Sequence, residues 1–292
     1  MHQISKELGK RFKKIKREAA TVVRHFRAKD IQAFRIEVKK LRAFLRLTGT
    51  TENSNHSIEL PKKIRRFYHE VGLIRDDQLL IGCIHCEAIK VKLEELPKSY
   101  LKTLHGRISK SAKYARHLVK KEALKKEEKQ LKRKVPHRLS SLRVSEFLWR
   151  EVNELRDSLD SFFHSDESVH AVRKVLKDLL HLWPFIKEEV VFILPSALFC
   201  SKEDLRFITR RLGKFQDTCV SLELLIKEIT DGKHDEQETA FYKTLEKKLT
   251  TERDSLRREI HGLFNKRIPS RRGLALLADG HKVEVRNKLL TP

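Results

Sequence analysis

The sequence predicts an all-α protein. Only 10 Gly and 7 Pro occur in 292 residues, so most segments lack helix breakers and are rich in Lys, Leu, Glu and Arg, which favour helices. Apolar residues recur at helical spacing. Two pairs of segments also repeat one another along the chain, which predicts an internal duplication with about four helices in each half.

The elements follow in order. A first helix is expected from about Ser5 to Ala28. Asp30, a good N-cap, precedes IQAFRIEVKKLRAFLRL, in which Ile31, Phe34, Val38, Leu41 and Leu45 form one apolar stripe. Pro61 stands before IRRFYHEVGLIRDDQLL, and Pro97 before a long helix through Tyr100 to Lys132. Pro136 and the stretch Leu139 to Arg143 mark a boundary between halves. The second half opens with a helix over Val144 to Phe163. Ser168 is the expected N-cap of VHAVRKVLKDL, with Pro184 and Pro195 as breaks after it. LRFITRRLGKFQDTCVS follows from Leu205, and a last helix runs from Glu236 to Phe264, closed by Pro269. The halves are therefore 1–138 and 139–268. Residues 269–292 have no counterpart in the first half and are left as an extension: a short helix, a hairpin around Asp279 and Gly280, or a tail.

The repeat is specific in its charges. IQAFRIEVKKL aligns with VHAVRKVLKDL, pairing Gln32 with His170, Arg35 with Arg173, and Lys39 with Lys177. The second pair of segments matches Arg65, His69, Gly72 and Asp76 with Arg206, Arg210, Gly213 and Asp217. At 100° per residue, Arg35, Lys39, Arg42 and Arg46 fall within a sector of roughly 60° beside the apolar stripe. An idle solvated face would lie opposite the core instead. Two unit charges ~6 Å apart repel by roughly 3 kcal/mol at an effective dielectric of 20, so such a file predicts an anionic partner. Gly72 and Gly213 each cost about 1 kcal/mol relative to Ala in a helix. They predict a close approach by a neighbouring helix or a ligand, and Asp76 and Asp217 predict orienting partners for arginines.

Composition supports the same direction. Lys and Arg number 64 against 40 Asp and Glu, a formal charge of +24 that calls for a polyanion: nucleic acid, an anionic membrane or a polyphosphate. The longest apolar run, Val190 to Cys200, contains Pro195 and is too short for a bilayer span of about 20 residues, so no transmembrane segment is expected. Four cysteines and no secretory signal predict a reducing, cytoplasmic setting.

These motifs, together with EVGLIRDDQL at Glu70 to Leu79 and RRLGKFQDTCVSL at Arg210 to Leu222, resemble those of the conserved histidine α-helical domain, the CHAD family. The resemblance implies two helical bundles related by a pseudo-twofold axis, with basic residues converging on a central groove or cavity that binds inorganic polyphosphate. It implies binding without catalysis, no cofactor, and association with polyphosphate granules. By the same resemblance the phosphate-binding residues are Arg35, Lys39, Arg42, Arg65, His69 and Arg75 in the first half. In the second they are His170, Arg173, Lys177, Arg206, Arg210 and Lys214. The sequence departs from the family pattern at Gln32, where the first-copy motif usually has histidine, and at Gln216, opposite Arg75.

Other readings are weaker. RNA or DNA binding fits the global charge, but aromatic content is 7%, which leaves few stacking platforms, and no nucleic-acid motif is present. Cys83 and Cys86 form a C-x-x-C without a second pair at metal-ligand spacing. Asp76, Asp77 and Asp217 are expected as salt-bridge partners rather than magnesium ligands, and neither a phosphate-cradling Gly-rich loop nor a nucleophile elbow occurs.

Overall fold

Amphipathic spacing sets nine α-helices among the described residues of the computed structural model, with no strand among them. The described residues are 4–49, 58–93, 96–119, 121–160, 165–193, 201–232 and 234–267. Residues 269–292, Pro195 and Cys200 lie outside them. The first half contributes α1 (Ile4–His25), α2 (Ala28–Gly49), α3 (Lys62–Lys90), α4 (Lys98–Leu118) and α5 (Lys121–Lys132). The second contributes α6 (Ser141–Asp160), α7 (Asp166–Ile193), α8 (Lys202–Asp231) and α9 (Glu236–Arg267).

The boundaries show which local forces win. The first helix ends at His25, earlier than Ala28, because Phe26 turns into the left-handed region at φ 51°. That conformation costs a non-glycine residue about 1–2 kcal/mol. Burial of the Phe26 ring to 5% exposure offsets it, and Gln78 Nε2 donates to the Phe26 carbonyl at 2.8 Å. The chain re-enters a helix at Ala28, so Asp30 lies in the first turn of α2 and not at its cap; there it still meets the positive end of the helix dipole. Ser168 is likewise one turn inside α7. The capping is done by Ser165, whose Oγ accepts the Ser168 N–H at 3.2 Å. Ser201 caps α8 by accepting the Asp204 N–H at 3.1 Å.

Two expected breaks fall differently. The helix foreseen over Tyr100 to Lys132 is divided between α4 and α5, and α5 returns to pack on α1, where Lys16 Nζ meets Glu128 Oε2 at 2.6 Å. The first half therefore has five helices, not about four. Pro184 does not end its helix: α7 runs through it to Ile193. Pro184 is exposed, while Leu182, Ile186 and Val190 are buried on either side, so core packing holds the helix across one missing N–H.

Within the first half α1 packs on α2, α2 on α3, and α3 on α4; within the second, α6 packs on α7, α7 on α8, and α8 on α9. Across the halves α2 lies on α7 and α3 on α8. One large core fills the space among α1, α2, α6, α7 and the first turns of α3 and α8. A second core, including Leu80, Tyr100, Leu225 and Tyr242, joins the far ends of α3 and α8 to α4 and α9. The four helices carrying the repeated motifs, α2, α3, α7 and α8, are thus the ones that meet at the centre.

Candidate anion-binding site

The apolar stripe of α2 points into the core, with Ile31, Phe34, Val38, Leu41 and Leu45 at most 1% exposed. Since the cations border that stripe, burial of the stripe carries Arg35, Lys39 and Arg42 to half-buried positions at the edge. On α7 the buried Val169, Val172, Leu176 and Leu179 do the same for Arg173 and Lys177. Because α2 packs on α7, the two cationic edges meet.

The electrostatics record that meeting. Burial lowers the Lys39 ammonium to about 7, and the charges of Arg173, Arg35, Lys177 and Arg42 press it in the same direction. Burial, then Arg173 and Arg210, lowers Lys177. Burial also lowers Arg173, opposed by Asp217 and Tyr68 and reinforced by Arg35. Asp76 is raised by burial against the pull of Arg35, with Asp217 adding to the rise. The central group is therefore Arg35, Lys39 and Arg42 from α2, Arg173 and Lys177 from α7, and Arg210 from α8. Asp76 of α3 and Asp217 of α8 compensate it only in part.

Gly72 has a definite role. Arg35 reaches across to α3, donating through Nη1 to the Tyr68 carbonyl at 3.2 Å and lying over the Tyr68 ring at 4.4 Å. A Cβ on Gly72 would overlap Arg35 Nη1. The close approach expected at this glycine is made by the arginine itself. Gly213 differs, since a Cβ there would meet no atom within 4 Å. Arg173, the Arg35 counterpart, has its Nε buried without a hydrogen-bond partner. A buried unpaired donor is costly, so this guanidinium is suited to an acceptor brought by a ligand.

Other expected site residues are placed at the margin or beyond it. His69 is exposed and Arg75 half-buried. His170 is exposed and its Nδ1 lies 2.6 Å from Gln216 Oε1, so the two departures from the family pattern affect neighbouring positions. Arg65 pairs with Glu59 at 2.9 Å, Arg206 with Glu203 at 3.2 Å, and Lys214 with Glu252 of α9 at 2.7 Å. The structure does not bring these three into the central group. Arg46, fourth in the file on α2, turns away: it binds Asp178 at 2.5 Å, Glu151 at 2.6 Å and Glu154 at 3.2 Å. Asp77 pairs with Arg107 at 2.7 Å.

Tyr68 and His181 belong to the site and were not foreseen from sequence. His181 stands one turn beyond Lys177, in the same file on α7. Its Nε2 is buried without a partner, and burial, then Lys177, Lys40, Lys39 and Arg11, lowers it to about 3, so the ring is neutral. Among fourteen histidines, only that one-turn spacing singles it out. Cys83 and Cys86 are free thiols on α3, half-buried and exposed respectively. No cluster of three or more His, Cys, Asp or Glu suited to a metal occurs among the described residues. No helix among them is long and apolar enough to cross a membrane.

Comparison with known proteins agrees with this architecture. The family model described as CHAD domain matches residues 6–188. The crystal structure of the CHAD domain from the plant Ricinus communis superposes with a TM-score of 0.52 at 17% sequence identity, covering 87% of this chain and 89% of that one. No curated protein matches the chain.

Proposed function

Because the chain belongs to the CHAD domain family, we propose that it binds inorganic polyphosphate at the α2–α7 cationic centre, without catalysing a reaction on it. The observation that carries this reading is the meeting of Arg35, Lys39 and Arg42 with Arg173 and Lys177 across two packed helices, with only Asp76 and Asp217 to offset them. A linear polyphosphate presents closely spaced anionic oxygens that relieve this repulsion. The guanidinium groups supply paired donors, and the lysines act as point charges. Binding releases counterions and weakens as salt rises. The setting is the cytoplasm, at polyphosphate granules.

The test is competition at near-physiological salt. Labelled long-chain polyphosphate is displaced by unlabelled polyphosphate, and by RNA or DNA only at much higher phosphate concentration. Equal displacement by nucleic acid overturns the reading. Substituting both Arg35→Ala and Arg173→Ala weakens polyphosphate binding by at least tenfold with native helix content.

A further inference from the structure

Resting on that reading, we propose that polyphosphate binding is coupled to the uptake of one proton by Lys39, so that affinity rises as pH falls through neutrality. The geometry places Lys39 at the middle of the central group. On its own helix Arg35 and Arg42 stand one turn to either side. From α7, Arg173, Lys177 and His181 face the same space, and from α3 Asp76 does so. Beyond them on α8, Arg210 adjoins Lys177 and Asp217 adjoins Arg173. On α1, Arg11 acts on His181. On α6, Glu151 and Glu154 are held by Arg46 two turns away. Arg210, Arg42, Arg35, Arg173 and Arg11 are fixed cations. Lys39 is therefore the group at the centre that can relieve repulsion by giving up a proton, and a bound phosphate chain returns the reason to hold it.

The size of the effect follows from linkage. In the free protein Lys39 titrates at about 7, so at pH 8 about nine molecules in ten carry it neutral. A bound polyanion moves its titration well above 8. Between pH 6 and pH 8 affinity then falls about tenfold through this one group. Histidines at the margin, His69 and His170, have ordinary values near 6.5 and are largely neutral already at pH 8, which separates their protons from that of Lys39.

The experiment is titration calorimetry of the full chain with long-chain polyphosphate at pH 8, in several buffers of different ionisation enthalpy. The expected result is uptake of close to one proton per site in the wild type and close to none in Lys39→Arg, which keeps its charge and binds about tenfold more tightly than the wild type at pH 8. At pH 6 the two proteins bind alike. Binding with no proton uptake by the wild type overturns the coupling and leaves polyphosphate recognition standing, as does equal uptake in Lys39→Arg. Absence of binding at both pH values, with native helix content, overturns the recognition itself.

Discussion

Gly72→Ala isolates the seat of Arg35. In an open helix this change gains about 1 kcal/mol from propensity. Here the new Cβ takes the place of Arg35 Nη1, so the guanidinium must leave the Tyr68 carbonyl and ring. The charged hydrogen bond is worth about 1.5–3 kcal/mol and the cation–π contact about 0.5–1 kcal/mol. The net expectation is destabilisation by roughly 1–3 kcal/mol, measured by urea unfolding. Gly213→Ala, at the aligned position with nothing within 4 Å of its Cβ, is expected to stabilise by about 1 kcal/mol. In an Arg35→Ala background the clash is gone, and Gly72→Ala should then stabilise like Gly213→Ala, which makes a double-mutant cycle the decisive assay. Equal stabilisation by the two substitutions in the wild type would refute the argument, because Arg35 would then have no seat to lose.

Further outcomes are expected of the same frame. Arg46→Met leaves Glu151 and Asp178 buried without their cation and should cost about 3–5 kcal/mol at pH 8. Burial already raises Glu151 to about 7 and Asp178 also upward, so both accept protons more readily in the fold than when unfolded, and the loss should shrink at pH 5. For Lys39 the folded value near 7 lies below the ordinary value of 10.5. The unfolded chain therefore binds the extra proton between these limits, and without polyphosphate stability should rise from pH 7 toward pH 9.5. Lys39→Met should remove that rise in urea midpoints. In the salt dependence of polyphosphate affinity, each cation removed from Arg35 and Arg173 should reduce the logarithmic slope by about 0.7 to 0.9, whereas Arg65→Ala should change it little.

The helices and the central file of cations were legible because both depend on one local regularity, the 3.6-residue period. Apolar residues on one stripe and cations beside it are enough to predict that Arg35 and Lys39 are half-buried at a helix edge. Tertiary partners of individual side chains were not legible in the same way. Arg46 has the spacing of the file, yet it is taken by Glu151 of α6, more than a hundred positions away. Lys214 has the composition of a phosphate ligand and is paired with Glu252. The ends of helices were displaced where burial outweighed local preference, as at Phe26 and Pro184. The role of Gly72 lay between these cases: its cost was visible in sequence, but the identity of the group it admits required α2 and α3 to be docked.

The repeated motifs do not produce two equal grips, and the difference lies in what surrounds each arginine. Arg35 has a carbonyl acceptor and an aromatic face at Tyr68, with Gly72 leaving room for both. The residue aligned with Tyr68 is Thr209, which is buried and donates its hydroxyl to the Arg206 carbonyl, so it offers Arg173 no platform. Arg35 is consequently held in place before any ligand arrives, while Arg173 keeps a buried donor unpaired. A phosphate oxygen bound between them meets one pre-positioned guanidinium, with little ordering left to do, and one whose desolvation is already largely complete and whose donor gains its first partner. Both features favour binding over solvation of the empty site, the first by lowering the entropy lost and the second by removing an unmet hydrogen bond. Of the two arginines, Arg173 should therefore contribute more to affinity and Arg35 more to stability, a division that single alanine substitutions at the two positions resolve when unfolding and polyphosphate binding are measured side by side.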